Sequence, residues 1–369
     1  MERPPEIIEK FEEITAAWLT SALRHGGVLK AATAESVDID VIGLSEGYLS
    51  ELARLTPHYS DDEHGAPASM IAKLPSLDVA TQSLATSFHM YERESRFYQE
   101  IGPEAGIRVP ACYYNAMDLT RTRHVLLLED IGPVGLGSQN SECTVDEARR
   151  ALEALAAMHA RWWESEQLGK YSWLGSADSH SLEIAWPRKY RAGWGAVKER
   201  FSGRLPEGVE EVGDRLVGGL GDVMRRSSAS PVTLVHGSFR PENIYFDAGD
   251  DADGVMAISW QVVGRMHGAI DVAFFIPYAL PRDVRREHEA SLLLAYLSAL
   301  TRQGVADYPF DEFMEHYRLG LLRNLVLFVI GDENVDLEVS TGEVWNTRRV
   351  ASLEALVDWN CAELLPEAE

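Results

Sequence analysis

Strand-like and helix-like patterns occupy different parts of this chain, and their separation constrains the fold more than any other feature. Before Ser141 the periodic segments are mostly short runs typical of strands, whereas nearly every later segment repeats at helical spacing. Five strand-like runs are present: "SVDIDVIGL", "YLSELARLTPHY", "ASMIAKLPS", "ACYYNAM" and "RHVLLLEDIG". One long helix is predicted at 80–101, between the third run and the fourth. Strands grouped ahead of helices predict an α+β fold. We therefore predict a lobe at 1–131 with a small antiparallel sheet, and a larger, mainly helical lobe at 132–369.

Helix signals at both ends of the chain support this division. Apolar residues recur at helical spacing over residues 6–25, which predicts an N-terminal helix. Thr144 and Glu147 form the Thr-x-x-Glu pattern of a capping box, so a helix should begin there and run to about Glu164. Further helices are predicted at 183–203 and 208–226, and the chain beyond Asp271 reads as mostly helical.

Charge and cysteine usage exclude several classes of partner. The formal net charge is −24, whereas nucleic acids and anionic membranes bind clustered Lys and Arg, so neither is an expected partner. The charge suits a cationic or neutral small molecule, although it could also serve solubility alone. The segment "MERPPEIIEKFEEIT" lacks the features of a secretory signal, and Cys112, Cys143 and Cys361 lie far apart. A cytoplasmic location is therefore expected.

A lysine within a strand pattern is the first candidate for chemistry. Lys73 stands in the apolar run "MIAKLP", and a lysine there needs either a route to water or a partner. The helix that follows carries Glu94 in "ERESRFY". Protein kinases use a strand Lys paired with a helix Glu to hold the phosphates of ATP. The alternative is a lysine at a strand edge that reaches solvent.

Two short loops after residue 231 contain the other candidates. "LVHGSFRPENIYFD" places Asn243 five residues after Ser238, and "VMAISWQVVG" contains Ser259. In kinases the first of these loop positions carries the acid that accepts the substrate proton, and the Asn binds a magnesium ion. The position of Ser259 would supply the main magnesium ligand. The alternative is a pair of ordinary polar turns.

Taken together, the chain resembles the aminoglycoside phosphotransferase family, including its choline kinase-like and ecdysteroid kinase-like members, whose fold is that of protein kinases. The resemblance covers about residues 40–280 and includes a hairpin around Gly47. The matching stretches, in order, are "IAKLP", "ERESRFYQEIG", "VLLLEDIG", "LAAMHARWW", "LVHGSFRPENIYFD", "ISWQVVG" and "GAIDVAFF". The resemblance implies that the backbone groups of Glu129 and Ile131 bind the adenine of ATP. It also implies structural roles for His236 and for Asp271, which would brace the catalytic loop.

The two serines are departures from the family pattern, which has Asp where this chain has Ser238 and Ser259. Magnesium prefers carboxylate oxygens, so no metal site and no cofactor are predicted. ATP and Mg²⁺ would enter only through an atypical site, with Glu242 or Asp247 as the nearby acids. Efficient phosphorylation by the usual route is therefore not expected.

Three hypotheses remain open at the level of the sequence. The chain could be a pseudokinase that binds a small molecule and, if regulatory, a protein partner. It could instead be an enzyme of another reaction class, with biosynthetic small-molecule chemistry in the inherited cleft, or a phosphotransferase with unusual metal coordination. Gln261, Trp186 and Trp194 are candidates for lining the ligand cleft. The identity of the ligand and the oligomeric state do not follow from the sequence.

Overall fold

The computed structural model describes residues 4–42, 49–120, 123–132, 143–176, 180–246, 254–334 and 348–367. The chain divides into two compact units. Unit 1 comprises Met1–Glu104 and Val109–Pro133, and unit 2 comprises Ala105–Arg108 and Val134–Glu369. The hairpin predicted around Gly47 and the acid Asp247 lie outside the described residues.

Unit 1 is built on a five-stranded antiparallel sheet, as predicted, with strand order β1-β2-β3-β5-β4. The strands are β1 (Ala34–Ile42), β2 (Ser50–Tyr59), β3 (Met70–Pro75), β4 (Cys112–Asp118) and β5 (Arg123–Glu129). One face of the sheet packs against helix α1 (Ala16–His25) in an apolar core that includes Leu19, Leu23, Leu55, Met70, Val125 and Leu127. Because side chains alternate along a strand, Lys73 and His124 lie on the opposite face.

Two predicted helices of unit 1 differ from the structure. The predicted helix at 6–25 begins only at Ala16, because the Thr15 side chain caps it by accepting the Trp18 N–H, and a short 3₁₀ turn precedes it. The predicted single helix at 80–101 is two helices, α2 (Val79–Ser87) and α3 (Met90–Glu100). His89 between them has φ +53°, a left-handed conformation that interrupts a right-handed helix.

Unit 2 is mainly helical, which confirms the predicted α+β class. The Thr144–Glu147 capping box is formed and opens the first helix of this unit. The helices are α4 (Val145–Trp162), α5 (His180–Arg200), α6 (Val209–Ser227), α7 (Ala269–Ala279), α8 (Arg282–Arg302), α9 (Phe310–Asn334) and α10 (Glu354–Asp358). Helix α4 packs against α8, and α7 packs against α9.

Short strands support the two loops of interest in unit 2. They are β6 (Gly175–Ser176), β7 (Thr233–Val235), β8 (Ile244–Phe246), β9 (Val255–Ala257) and β10 (Gly264–Met266). Strand β10 lies between β6 and β7, while β8 pairs with β9. The loop 236–243 connects β7 to β8, and the loop 258–263 connects β9 to β10. Within the described ranges, no helix has both the length and the apolar composition needed to cross a bilayer.

Candidate functional site

In unit 1, Lys73 and Glu94 form a buried ion pair. The Lys73 ammonium lies 2.8 Å from each carboxylate oxygen of Glu94, which α3 directs at the sheet. The Lys73 side chain is 10% exposed and that of Glu94 is fully buried. Burial of either charge alone would be costly, so each ion compensates the other. The lysine therefore has a buried partner and is not an edge lysine that reaches solvent.

His124 shares the sheet face of Lys73. Strand β5 places it two residues from Leu126, the pairing partner of Lys73, and its ring stacks on Tyr91 at a centroid distance of 4.5 Å. Neither ring nitrogen has a hydrogen-bond partner among the described residues. Burial, and then the positive charge of Lys73, lower the pKa of His124 to about 3. This histidine is therefore neutral in the folded protein at physiological pH.

The segment after β5 is held by polar contacts within unit 1. Glu129 donates its N–H to the Ala111 carbonyl at 2.8 Å, and its side chain accepts the Ala111 N–H at 3.1 Å. Asp130 accepts from Arg54 Nε at 2.7 Å. Burial raises the pKa of Asp130, but the bond from Arg54 leads the opposing effects, and the net pKa is lowered. Ile131 is half-buried beside them. The segment is thus tied to Ala111 and to Arg54 of β2.

In unit 2, Asp271 organises the loop after β7. Its two oxygens accept the backbone N–H groups of His236 at 2.6 Å and Gly237 at 2.7 Å. His159 on α4 approaches the same carboxylate at 3.3 Å, and its other ring nitrogen lies 2.7 Å from the Tyr296 hydroxyl. Burial raises the pKa of Asp271, but the bond and charge of His159 lead the stronger opposing effects, and the net pKa is lowered. Asp271 is thus an ionised group with no exposure to solvent.

His236 and Gly237 join this loop to the loop after β9. His236 Nδ1 accepts the Ser238 N–H at 3.2 Å, so its proton lies on Nε2, which donates to the Ile258 carbonyl at 2.8 Å. Burial lowers the pKa of the His236 ring, which keeps it neutral. Gly237 has φ +81°, and a Cβ there would lie 2.4 Å from the Val262 carbonyl oxygen. Only glycine fits this crossing of the two loops.

The polar side chains of the two loops bind one another. Asn243 Nδ2 donates to the Ser238 carbonyl at 2.9 Å and lies 3.5 Å from its hydroxyl. The Ser259 hydroxyl lies 3.4 Å from Gln261 Oε1. Ser259 has φ +68°, a conformation that is uncommon outside glycine and is adopted more readily by Asn and Asp than by most other residues. The fold thus brings the two predicted loops together and leaves a serine at the head of each.

Trp186 and Trp194, predicted to line a ligand cleft, are both buried in helix packing. Trp194 donates its N–H to Asp214 at 2.8 Å and stacks on Tyr190 at 5.9 Å. The guanidinium of Arg323 lies 5.7 Å from the centre of the Trp186 ring. The contacts of Trp194 join α5 to α6, and those of Trp186 join α5 to α9. A ligand-binding role for these residues stays a prediction.

Comparison with known proteins identifies the family. A sequence model of the ecdysteroid kinase-like family matches residues 45–305. The chain belongs to the ecdysteroid kinase-like family. This assignment confirms the resemblance seen in the sequence motifs, since the match includes both loops and the Lys73–Glu94 pair. No curated protein is detectably similar in sequence.

Solved structures confirm that this ecdysteroid kinase-like protein has a kinase-like fold. Choline kinase from Cryptosporidium parvum Iowa II has a TM-score of 0.55 at 12% identity, covering 88% of this chain and 91% of that one. Plasmodium vivax ethanolamine kinase has a TM-score of 0.53 at 12% identity, covering 92% and 87%. A GDP complex of an aminoglycoside 2′-phosphotransferase-IIIa variant has a TM-score of 0.52 at 11% identity, covering 94% and 97%. At these identities the likeness establishes the fold alone.

Sequence reasoning assigned no site role to His124, His159 or Tyr296. His159 lies on the buried face of α4, and a buried histidine on an apolar face needs polar partners. Its partners Asp271 and Tyr296 lie 112 and 137 residues away along the chain, beyond the reach of any local pattern. His124 carries no local pattern at all, because its burial depends on how α3 covers the sheet.

Proposed function

We propose that this member of a phosphotransferase family has a degenerate kinase site, does not transfer phosphate efficiently from ATP, and binds a small organic molecule. The observation that carries the proposal is the pair of serines at the head of the two loops. Both positions offer neutral hydroxyls, and the serines are hydrogen-bonded within the chain to Asn243 and Gln261.

The oxygen donors of these loops are a poor fit for magnesium. Mg²⁺ demands near-octahedral geometry and is held in proteins through one or two carboxylates besides the phosphates of a substrate. Among the described residues of the two loops, the only carboxylate is that of Glu242, and it faces Arg240 at 3.8 Å. Asn243, the other expected ligand, donates its amide N–H to the Ser238 carbonyl, so only its neutral Oδ1 could bind a metal. We therefore assign no catalytic step to a bound metal.

The intact Lys73–Glu94 pair favours a second candidate, a phosphotransferase with unusual metal coordination. In kinases this pair positions ATP phosphates, and a protein that no longer met nucleotide would not need it for that purpose. An enzyme of another reaction class remains the third hypothesis. Only the phosphotransferase requires Mg²⁺ and ATP, so a binding experiment with both separates it from the other two candidates.

The decisive experiment restores the acids. We expect the Ser238→Asp/Ser259→Asp variant to bind Mg²⁺ with a non-hydrolysable ATP analogue more tightly than the natural chain, measured by calorimetry and thermal shift. The Ser238→Asn/Ser259→Asn variant is the matched control, because Asn has nearly the shape of Asp but no charge. Asn also tolerates the positive φ of residue 259. Equal binding by all three proteins would show that the two positions are wrongly assigned. Rapid Mg²⁺-dependent ADP release by the natural chain, driven by an alcohol acceptor, would refute the degenerate site.

A further inference from the structure

Two buried histidines of unit 2 lie face to face, and the site described above does not use them. His267 stands just before α7 and His316 on α9, and their ring centres are 3.5 Å apart with planes inclined by 12°. Only 1% of His267 and 8% of His316 is exposed. The backbone carbonyls of Arg226 and Pro231 contact the His267 ring, and we call these four residues the His267 clip.

The ring of His267 has an oxygen acceptor at each nitrogen. Nδ1 lies 2.8 Å from the Pro231 carbonyl oxygen, and Nε2 lies 2.7 Å from that of Arg226. A carbonyl oxygen can only accept a hydrogen bond, and both distances are those of hydrogen bonds. A neutral imidazole carries one N–H, so its other nitrogen would turn a lone pair towards a carbonyl oxygen. Only the imidazolium ion donates to both oxygens, so this arrangement is that of the protonated ring.

His316 supplies the neutral ring of the stack. Its Nδ1 lies 2.7 Å from the Tyr308 hydroxyl. Burial, and then the charge of His267, lower the pKa of His316 to about 3. A neutral aromatic ring attracts a cation placed over its face, whereas two imidazolium ions at 3.5 Å would repel each other. When the pair carries a charge near neutral pH, the charge therefore lies on His267.

Groups from α6, from α9 and from the segment after α4 face the clip. Glu164, after α4, binds the chain on both sides of Pro231, and the Arg226 guanidinium is paired with Glu315 of α9 at 2.6 Å. Among the described residues, the charged and titratable side chains that face the clip are Arg226, Glu164, Tyr308, Glu312, Glu315 and His316. Burial lowers the pKa of His267, the two carbonyl bonds lead the effects that raise it, and the net pKa is lowered. The folded ring therefore gains its proton below its ordinary pKa of about 6.5.

The clip joins the two chain segments that position the loop after β7. Pro231 lies two residues before β7, which leads into that loop. His267 begins the first turn of α7, because its carbonyl accepts the Ile270 N–H at 3.1 Å. The residue after Ile270 is Asp271, which accepts the two N–H groups at the start of the loop. The contacts of one imidazole ring therefore reach both supports of the loop.

We propose that His267 is a pH-sensitive clip: its protonated ring holds the carbonyls of Arg226 and Pro231 together, and its deprotonation releases one of them and loosens the loop after β7. The loop that carries Ser238 and Asn243 is thus more rigid in mild acid than at neutral pH. This behaviour is independent of the proposed function, because it concerns the conformation of the loop rather than a ligand or a reaction.

NMR of the natural chain with isotope-labelled histidine tests the protonation of the ring directly. We expect His267, assigned by connection to its backbone amide, to carry protons on both nitrogens at about pH 5 and on one at about pH 8. Hydrogen exchange of the loop is measured over the same range and corrected for the pH dependence of the exchange chemistry. Protection of the Gly237 amide should fall about tenfold as His267 loses its proton, the effect expected for one charge-assisted hydrogen bond.

Three variants identify the histidine responsible. His267→Gln removes the titratable ring, so protection of Gly237 should stay at its lower level at every pH. His316→Phe keeps a stacked ring that does not titrate, and His288→Gln removes a histidine of α8 that is 38% exposed. Both of these should keep the pH dependence of the natural chain. Circular dichroism establishes that each variant is folded before its exchange is compared.

The contrary outcomes are defined for the natural chain and for the variants. A His267 ring that keeps one protonation state from about pH 5 to about pH 8 would overturn the proposal. So would protection of Gly237 that does not follow the titration of His267, or a full pH dependence in His267→Gln. The NMR titration and the exchange curve of the natural chain need no variant, so they decide the matter even if His267→Gln does not fold.

Discussion

The Lys73 ammonium lies 2.8 Å from both oxygens of the Glu94 carboxylate, and water reaches almost none of either group. Removing the lysine leaves a buried carboxylate without its counter-ion. We expect Lys73→Met to lower the free energy of unfolding by about 3–5 kcal/mol, measured by urea denaturation.

The double variant Lys73→Met/Glu94→Gln is the matched control for this pair. It removes both charges, so most of the lost stability should return. If Lys73→Met costs less than about 1 kcal/mol, the scale of an exposed pair, the two groups do not form a buried pair in solution.

His124 should make the protein acid-sensitive. Its pKa is about 3 in the folded chain, lowered by burial and then by Lys73, against about 6.5 when unfolded. The folded pKa is the lower one, so stability is full above pH 6.5 and is lost as the pH falls towards 3. We expect His124→Phe, which keeps a ring against Tyr91, to reduce the slope of unfolding free energy by about 1.4 kcal/mol per pH unit across this window. An unchanged slope, or a His124 NMR titration near pH 6.5, would contradict its burial.

Asp271 should stabilise the loop after β7 by accepting its backbone N–H groups with both carboxylate oxygens. Asp271→Asn keeps the shape but leaves one good acceptor for the two backbone N–H groups of His236 and Gly237. We expect a loss of about 1–3 kcal/mol and faster amide hydrogen exchange at Gly237. The folded pKa of Asp271 is lowered, so the stability it contributes is present above the unfolded pKa and is lost as acid protonates the folded carboxylate. The difference between the two proteins should therefore shrink at low pH, and a constant difference would argue against an ionised Asp271.

The glycine at the loop crossing should not tolerate a side chain. Gly237→Ala combines φ +81° with a Cβ only 2.4 Å from the Val262 carbonyl oxygen. The backbone conformation alone costs about 1–3 kcal/mol, and the clash adds to this. Gly221→Ala on α6 is the control, because nothing lies within 4 Å of its added Cβ, and it should stabilise the protein by about 0.5–1 kcal/mol. Similar unfolding curves for the two variants would show that the loops do not cross as described.

The polar groups of the site differ in how far local sequence could predict them. Lys73 and Glu94 were recognisable because a lysine in an apolar strand needs a partner, and the next helix carries one. The contacts of Asp271 with His159 could not be foreseen, since they depend on α4 and α7 meeting across 112 residues of chain. The break at His89 was missed because the apolar spacing continues through it, while a single left-handed residue ends the helix.

The sequence by itself determined the α+β class, the helix that starts at the Thr144–Glu147 capping box, and the family, because these depend on periodicity, capping and motifs within short windows. Only the tertiary structure decided the environment of the titratable groups. Burial shifts the pKa of His124, Asp271 and Tyr278, and burial depends on which distant elements cover each side chain. Composition averages over the whole chain, whereas electrostatic energy depends on which charges are neighbours.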